Sequence, residues 1–507
     1  MMQTGGLLAA PRWLRAAPAI ATGVRARPKI TSGVQSGDVG GGHAVVWSRV
    51  DRPARLCVDW DTSDAFRNAR TVSGPAALEN SGLTSRVVLS DLPPGQRVFY
   101  RVRFQDLGDL TTWSEPEIGS FSTPPGAGEE VRLAWSADTV GQRWGINTEW
   151  GGLRMYETIR AARPHLYVHA GDQIYADNPL VPEVPLDDGR VWRNVMTPAK
   201  EKVAETLDEF RGQYLYNLLD DNMRRFAAEV PQVVLWDDHE VLNNWYPSQR
   251  LKDPRYTETS VALLAARAST AFFEHVPIRR AADDPERVYR SIRYGPALEV
   301  FALDMRAYRG ANSPNRQATS GPESAFLGAT QLAWLKQALR ASTATWKVVA
   351  ADMPLGLVVR DGDTDFEAVA NDDAGAPLGR ELEIAELLGF LKREGVRNVV
   401  WITGDVHYAA AHHYAPERAR FKDFDPFWEF VAGPLHAGTF APKTLDGTFG
   451  PEVRFNATPA DLKPNRPPSE GLQFFGLLTI GRDATMTVRL HDLSGKTLFS
   501  VELEARS

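Results

Sequence analysis

Apolar residues fall into two textures along the chain. From about Lys29 to Thr123 they alternate with polar ones over short runs: HAVVWSRV (His43 to Val50), ARLCVDW (Ala54 to Trp60), SRVVLSDL (Ser85 to Leu92) and RVFYRVRF (Arg97 to Phe104), with Pro93-Pro94-Gly95 as a turn. Alternation puts the apolar side chains of a strand on one face, so regularly spaced runs of this kind predict a small β-sandwich over residues 29–125. The stretch Thr123-Pro124-Pro125-Gly126 closes it as a linker. From about Glu130 near-continuous apolar runs alternate with helical periodicity, which predicts an α/β unit over residues 130–507. Its expected helices are Glu149 to Ala162, Glu205 to Glu229, Thr259 to Glu274, Thr330 to Ala341 and Glu381 to Glu394, the last ended by Gly395. The tail from Gly476 reads as strands joined by turns.

A length of 507 residues exceeds one ordinary core and agrees with two domains. Residues 1–28 are rich in Ala, Arg and Gly and poor in acids. They read equally as an export-signal remnant and as a disordered leader, because Arg12 and Arg15 break the apolar core. No run reaches the roughly 18 apolar residues that a spanning helix needs. The net charge of -7, with both signs interspersed, argues against nucleic acid as the main partner. A small phosphate ester stays open, since bound cations can meet its charge. The single cysteine, Cys57, excludes an intrachain disulfide and a thiolate metal site, so any metal here is held by oxygen and imidazole.

Candidate chemistry lies where the acids fall. VRLAWS runs into Asp138, HLYVHA into Gly171-Asp172, QVVLW into Asp237-Asp238-His239-Glu240, KVVAA into Asp352, and NVVWIT into Gly404-Asp405-Val406-His407. Runs apolar on both faces mark a covered sheet, and ligands of such sheets bind beyond the carboxyl ends of the strands. One Asp after a strand is ordinarily a turn or cap residue. Five together would repel one another unless cations neutralised them. Asp138, Asp172, Tyr175 and His407 would offer hard oxygen and one imidazole, suiting iron or a similar transition metal; for Tyr175 a buried core aromatic is the alternative. Asp238 and Asp405, sharing Asp172, would make an all-carboxylate neighbour suited to Ca²⁺, Mg²⁺ or Mn²⁺.

At these residues the sequence resembles the alkaline phosphatase D (PhoD-like) phosphodiesterases and phosphatases, within the calcineurin-like metallophosphoesterases. The matching segments are GVQSGDVGGGHAVVWSRV at Gly33, HAGDQIYAD at His169, VVLWDDHEVLNNW at Val233, LDMRAYRG at Leu303 and WITGDVHYA at Trp401. The resemblance implies a four-layer α/β metallophosphoesterase sandwich flanked by helices, preceded by an immunoglobulin- or fibronectin-like β-sandwich. It also implies a binuclear or larger metal centre, with Fe³⁺ and Ca²⁺ expected and Mn²⁺, Mg²⁺ or Zn²⁺ as alternatives. Asp172 would bridge two metals, Tyr175 would bind iron as a phenolate and His407 would complete that site. Asp238 stands where the superfamily has an Asn ligand, His239 where it has a catalytic His, and Asp405 where a second metal's His often sits. Asp352 falls where related purple acid phosphatases carry a ligand His. Asp138 departs from the Cys of better-known members, a harder ligand that changes which metal is favoured.

The expected reaction is attack of a metal-held hydroxide on phosphorus, in line with the leaving oxygen, which His239 protonates. Arg306 and Arg309 would clamp the substrate, with a structural ion pair as the alternative; Asn243 and Asn244 would bind phosphate or shape a loop. His436 lies on a loop that could reach the site, and His412 and His413 have no assigned role. Small phosphate esters are the expected partners, and a periplasmic or extracellular location follows from the resemblance. The rival activities are a phospholipase-D-like action on lipid head groups and non-catalytic phosphate binding.

Overall fold

The runs after residue 130 become strands of two large sheets. The computed structural model describes residues 27–506 except Ala374, so the leader reading falls almost wholly outside the described residues. The first sheet has nine strands, in the order Thr497–Leu503, Met486–Asp492, Phe474–Ile480, Val131–Ser136, Leu166–Ala170, Gln232–Leu235, Ile30–Gly40, His43–Val50 and Thr84–Leu89. The three strands Val131–Ser136, Leu166–Ala170 and Gln232–Leu235 are parallel. The second sheet has seven: Arg290–Tyr294, Leu298–Ala302, Trp346–Ala350, Val399–Thr403, Phe427–Val431, Ala410–Tyr414 and Pro451–Asn456, with the four from Leu298 to Val431 in that order parallel.

Alternate residues of these strands meet between the sheets. Leu133, Trp135, Val168 and Val233 share one buried core with Val300, Val348, Val400 and Ile402. The intervening residues are apolar because helices cover the outer faces. Ala134 and Tyr167 pack with Met155, Ile159 and Phe226 of helices Arg154–Ala161 and Asp221–Glu229. Phe301, Val349 and Trp401 pack with Leu335 and Leu387 of helices Gly328–Ala341 and Glu381–Arg393. Each large side chain so buried contributes about 1.5–3 kcal/mol. The layers run helix, sheet, sheet, helix, the expected architecture. No helix among the described residues is long and apolar enough to cross a membrane.

The N-terminal strands form a sandwich, but not a free-standing one. Arg70–Ala77, Ala54–Asp61, Arg97–Asp106 and Glu117–Ser122 make one antiparallel layer. The other layer, Ile30–Gly40 with His43–Val50 and Thr84–Leu89, is the end of the nine-stranded sheet, joined where Gly37 lies opposite Gln232. Glycine permits that approach: a Cβ on Gly37 would lie 2.3 Å from the Pro277 carbonyl oxygen and 2.7 Å from that of Gln232. Alternation fixes the face of each residue, not the partner of each strand, so this continuity is absent from the sequence pattern.

The helix expected over Glu205 to Glu229 is two helices, Leu207–Asn217 and Asp221–Glu229. Thr206 and Glu209 form a capping box at the first. Asp220 starts the second by accepting from the N–H groups of Asn222 and Met223, and its other oxygen accepts from Leu153 N–H at 3.0 Å. A cap that satisfies three donors outweighs continuation of the helical period.

Candidate metal centre

Strand ends from both sheets deliver acids to one place. Asp138, Asp172, the pair Asp237 and Asp238, and Asp405 with His407 follow four parallel strands. They form three overlapping triads whose ligand atoms lie within 4.8 Å of one another: Asp138–Asp172–His407, Asp172–Asp238–His239 and Asp237–Asp238–Asp405. Tyr175 joins the first, with its hydroxyl 2.8 Å from His407 Nε2. Asp172 links the first triad to the second, and Asp238 links the second to the third.

The chain turns sharply at these positions. Asp138 (φ 67°), Asp172 (φ 53°), Asp405 (φ 67°) and His407 (φ 61°) are all left-handed. Each such residue costs on the order of 1–3 kcal/mol unless its surroundings impose it. Here they do. Thr139 N–H donates to the Asp172 carbonyl at 2.8 Å, and His436 N–H to that of Asp138 at 3.0 Å. Glu240 gathers the N–H groups of Asp172 (3.1 Å), Gln173 (2.6 Å) and Asp237 (2.7 Å), tying two strand ends to one carboxylate. Gly171, at φ 104°, lets Asp237 approach so closely that a Cβ would sit 2.4 Å from that of Asp237.

Burial pushes the carboxyls of Asp138, Asp172, Asp237 and Asp405 well above the usual range, and neighbouring acids add to it against the pull of His239 or Arg306. Both oxygens of Asp138, Oδ1 of Asp238 and Oδ2 of Asp237 are buried without a hydrogen-bond partner. Each such oxygen costs about 1–3 kcal/mol, more when charged. A cation would satisfy them, and the donors suit one: oxygen, phenol and a single imidazole at Asp138–Asp172–Tyr175–His407, carboxylates alone at Asp237–Asp238–Asp405. His407 has a ligand's tautomer. Its Nδ1 faces the Gly438 carbonyl, which can only accept, leaving the Nε2 lone pair for the site. Burial lowers its pKa to about 4, so the ring is neutral.

His239 differs. Its Nδ1 lies 2.7 Å from Asp177 Oδ1, its ring stacks on Tyr175 at 4.3 Å, and its Nε2 lies 4.0 Å from Asp238 Oδ1. Burial would lower its pKa, but the charges of Asp177, Asp238 and Asp172 outweigh that and hold it well above its ordinary value. Asp177, although buried, is held below the usual carboxylate range by His239. Sequence reasoning missed Asp177, whose signal was a second acid in the same Gly-Asp-Gln-Ile-Tyr-Ala-Asp loop. It also left Asp237 and Glu240 without a role, though both flank the quoted His239.

Arg306 is not at the mouth. It is fully buried, with its guanidinium against Asp237, Glu367 and Asp352, the last at 3.0 Å. The expected substrate clamp is thus an internal ion cluster, and Asp352 answers Arg306 instead of joining a triad. Buried acids behind a site need a fixed cation, and Arg306 serves them. Arg309 is also buried, donating to the Glu367 carbonyl and to Asn312 Oδ1. Asn243 and Asn244 shape the loop: their N–H groups donate to Asp177 Oδ2 (3.0 Å) and Asp238 Oδ2 (2.6 Å). His412 pairs with Glu429 and His413 with Arg418, both outside the triads, whereas His436 reaches Asp138 through its backbone.

The chain is similar to known proteins over most of its length. The family model described as PhoD-like phosphatase matches residues 133–490, and that of the PhoD-like phosphatase N-terminal domain matches residues 15–125. Alkaline phosphatase D of Bacillus subtilis (strain 168) is 27% identical over 432 residues, covering 80% of this chain and 69% of that protein. The solved structure of PhoD superposes with a TM-score of 0.67 at 21% identity, covering 94% of this chain and 92% of that one. The purple acid phosphatase PPD1 from yellow lupin (Lupinus luteus) seeds superposes with a TM-score of 0.58 at 14% identity, covering 94% and 74%; these two likenesses are of fold. With two family models spanning most of its length, the chain belongs to the PhoD-like phosphatase family.

Proposed function

We propose that the chain carries out its metal-dependent hydrolysis of phosphoric esters with Asp138, Asp172, Tyr175 and His407 holding one ion, Asp172, Asp238 and Asp405 holding a second, and His239 protonating the leaving oxygen. The observation behind this reading is the set of buried carboxylate oxygens without partners, on Asp138 and Asp238, beside a histidine held by Asp177. When bound, a metal pair would supply a water acidified toward a pKa of about 7, together with positive charge against the phosphoryl oxygens. The chain's own residues do the rest. Asp177 takes Nδ1–H of His239, so only Nε2, on the side of Asp238, can give a proton. As the P–O bond breaks, its electrons go to the leaving oxygen, which takes that proton. The Tyr175 stack fixes the plane of the ring, and the backbone bond from His239 to Asp172 Oδ1 (3.0 Å) fixes its distance from the first site.

Hard oxygen with one imidazole favours Fe³⁺ in the first site, and carboxylates favour Ca²⁺ in the second, with Mn²⁺, Mg²⁺ or Zn²⁺ as substitutes. Action outside the cytoplasm belongs to the proposal and rests on the likeness to the PhoD-like phosphatase family. Action on lipid head groups is the rival substrate reading, and a chain that only binds phosphate would turn over no ester when loaded with metal. Elemental analysis of the purified protein, run beside hydrolysis of mono- and bis-(4-nitrophenyl) phosphate and of phosphatidylcholine, tests the whole. Two metal ions per chain and turnover of the nitrophenyl esters are expected. Full turnover by protein stripped of metal would overturn it. If iron sits against Tyr175, the protein has a visible phenolate charge-transfer band that Tyr175→Phe abolishes; a coloured Y175F protein would retire that assignment.

A further inference from the structure

Helix Glu381–Arg393 begins on a carboxylate that the proposed reaction does not use. Glu381 is 1% exposed. Its Oε2 accepts from Leu378 N–H at 3.1 Å and from Asn371 Nδ2 at 3.2 Å, whereas its Oε1 is buried without a partner. Asp446, 6% exposed, repeats the arrangement: Oδ1 accepts from Thr448 N–H at 2.7 Å, and Oδ2 is buried without a partner. Neither acid belongs to the three triads, and neither pairs with a cation among the described residues.

Thr448 brings the two acids together. Its N–H donates to Asp446, while its hydroxyl lies against Glu381 and donates to the Asp373 carbonyl at 3.3 Å. Burial, and next the charge of Asp446, push the Glu381 carboxyl up to about 8. Each bare buried oxygen costs about 1–3 kcal/mol, more when charged. A shared proton would serve the two carboxyls alone. A cation would also use the lone pairs of the Thr448 hydroxyl and the Asp373 carbonyl. The donors come from three segments: residues 371–373, the first turn of the helix, and residues 446–448. The last segment continues the stretch that starts at Gly438, whose carbonyl faces His407 Nδ1, and it is held by Asp446 N–H donating to the Gly356 carbonyl at 2.9 Å.

We propose that Glu381 and Asp446 hold a further hard divalent cation, Ca²⁺ by preference, apart from the proposed catalytic pair. Ca²⁺ takes roughly six to eight oxygens in irregular geometry, from carboxylates, backbone carbonyls and water, whereas Mg²⁺ demands a near-ideal octahedron. Two carboxylates, a hydroxyl and a carbonyl from three segments suit the former, and the two carboxylates balance its charge. The ion fastens the stretch behind His407 to the start of the helix. This inference does not depend on the role given to His239.

The test adds about 1 mM Ca²⁺ to the full chain already holding its two ions, a level suited to extracellular calcium sites. Equilibrium dialysis with radioactive calcium is expected to show one further ion per chain, and thermal melts a Tm raised by about 2–4 °C. The double variant Glu381→Gln/Asp446→Asn keeps the shapes and removes both charges. It is expected to lose the uptake and the shift, with kcat on 4-nitrophenyl phosphate unchanged. No further uptake by the wild type overturns the proposal and leaves the two carboxyls sharing a proton. Uptake that persists in the double variant overturns it as well, since the ion then lies elsewhere. Loss of turnover together with the ion would place it in the catalytic centre and overturn a separate site. Should the double variant not fold, Asp446→Asn alone is read for the same loss. A wild type that takes up the ion yet hydrolyses no ester would refute the catalytic assignment and leave this site standing.

Discussion

Asp138 and Glu429 are both completely buried carboxylates, yet their surroundings are opposite. Glu429 Oε1 accepts from Leu355 N–H at 2.7 Å, and Oε2 meets the Tyr414 hydroxyl at 2.8 Å and His412 Nδ1 at 3.0 Å. Neither oxygen of Asp138 has a partner. The fold therefore knows how to satisfy a buried acid and withholds that at one edge of its sheets. Burial and charge alone do not separate a structural acid from a metal ligand; the account of donors does.

The contrast can be broken by substitution. The largest effect is expected for Asp172→Ala, which would take a ligand from both proposed sites: loss of several kcal/mol of charge stabilisation corresponds to about 10³-fold or more in kcat/KM, with metal content falling in parallel by elemental analysis. A D172A protein that keeps its metals and its activity would erase the distinction. His239→Ala comes next, lowering kcat by about 10²–10⁴-fold with metal content unchanged; loss of metal would make His239 a ligand. Glu429→Gln should act on the other side of the comparison, reducing unfolding free energy by about 1–3 kcal/mol in urea melts while the metal-loaded kcat stays within about twofold.

The smallest effect sharpens the rule with a buried cation. Lys200 Nζ has no hydrogen-bond partner, lies 5.2 Å from the centre of the Tyr216 ring, and is lowered by burial to about 7. Between pH 7 and roughly 10.4, its ordinary value, the unfolded chain holds this proton and the folded chain does not, so stability from this group rises with pH across that window. Lys200→Met should flatten that rise and lift Tm at pH 7 by about a degree or two. An unchanged pH slope would show that Lys200 finds a partner in solution.

Much of the candidate site was legible in the sequence because each of its acid-bearing turns follows an apolar run whose length and two-faced burial mark an inner strand. Asp138, Asp172, Asp238, Asp405 and His407 came from that one pattern. Asp352 obeys the same pattern but joins no triad, since nothing local tells that Arg306, 46 positions away, will take its carboxylate. Asp177 was hidden for the converse reason: it follows no strand and acts through His239, a contact made across 62 positions. The layered fold was readable from periodicity, whereas the break at Asp220 turned on a side-chain cap, and the attachment of the first strands turned on a pairing that no local pattern encodes.

That attachment governs what can be cut away. The parallel strands that carry Asp138, Asp172 and Asp238 are flanked on one side by the tail strands and on the other by Ile30–Gly40. A fragment beginning at residue 130 would leave Gln232–Leu235 with a bare row of N–H and C=O groups, a template for pairing between molecules. The N-terminal strands thus act as a built-in edge guard, and proteolysis in the linker at Thr123–Gly126 should yield pieces that stay together until denaturant parts them.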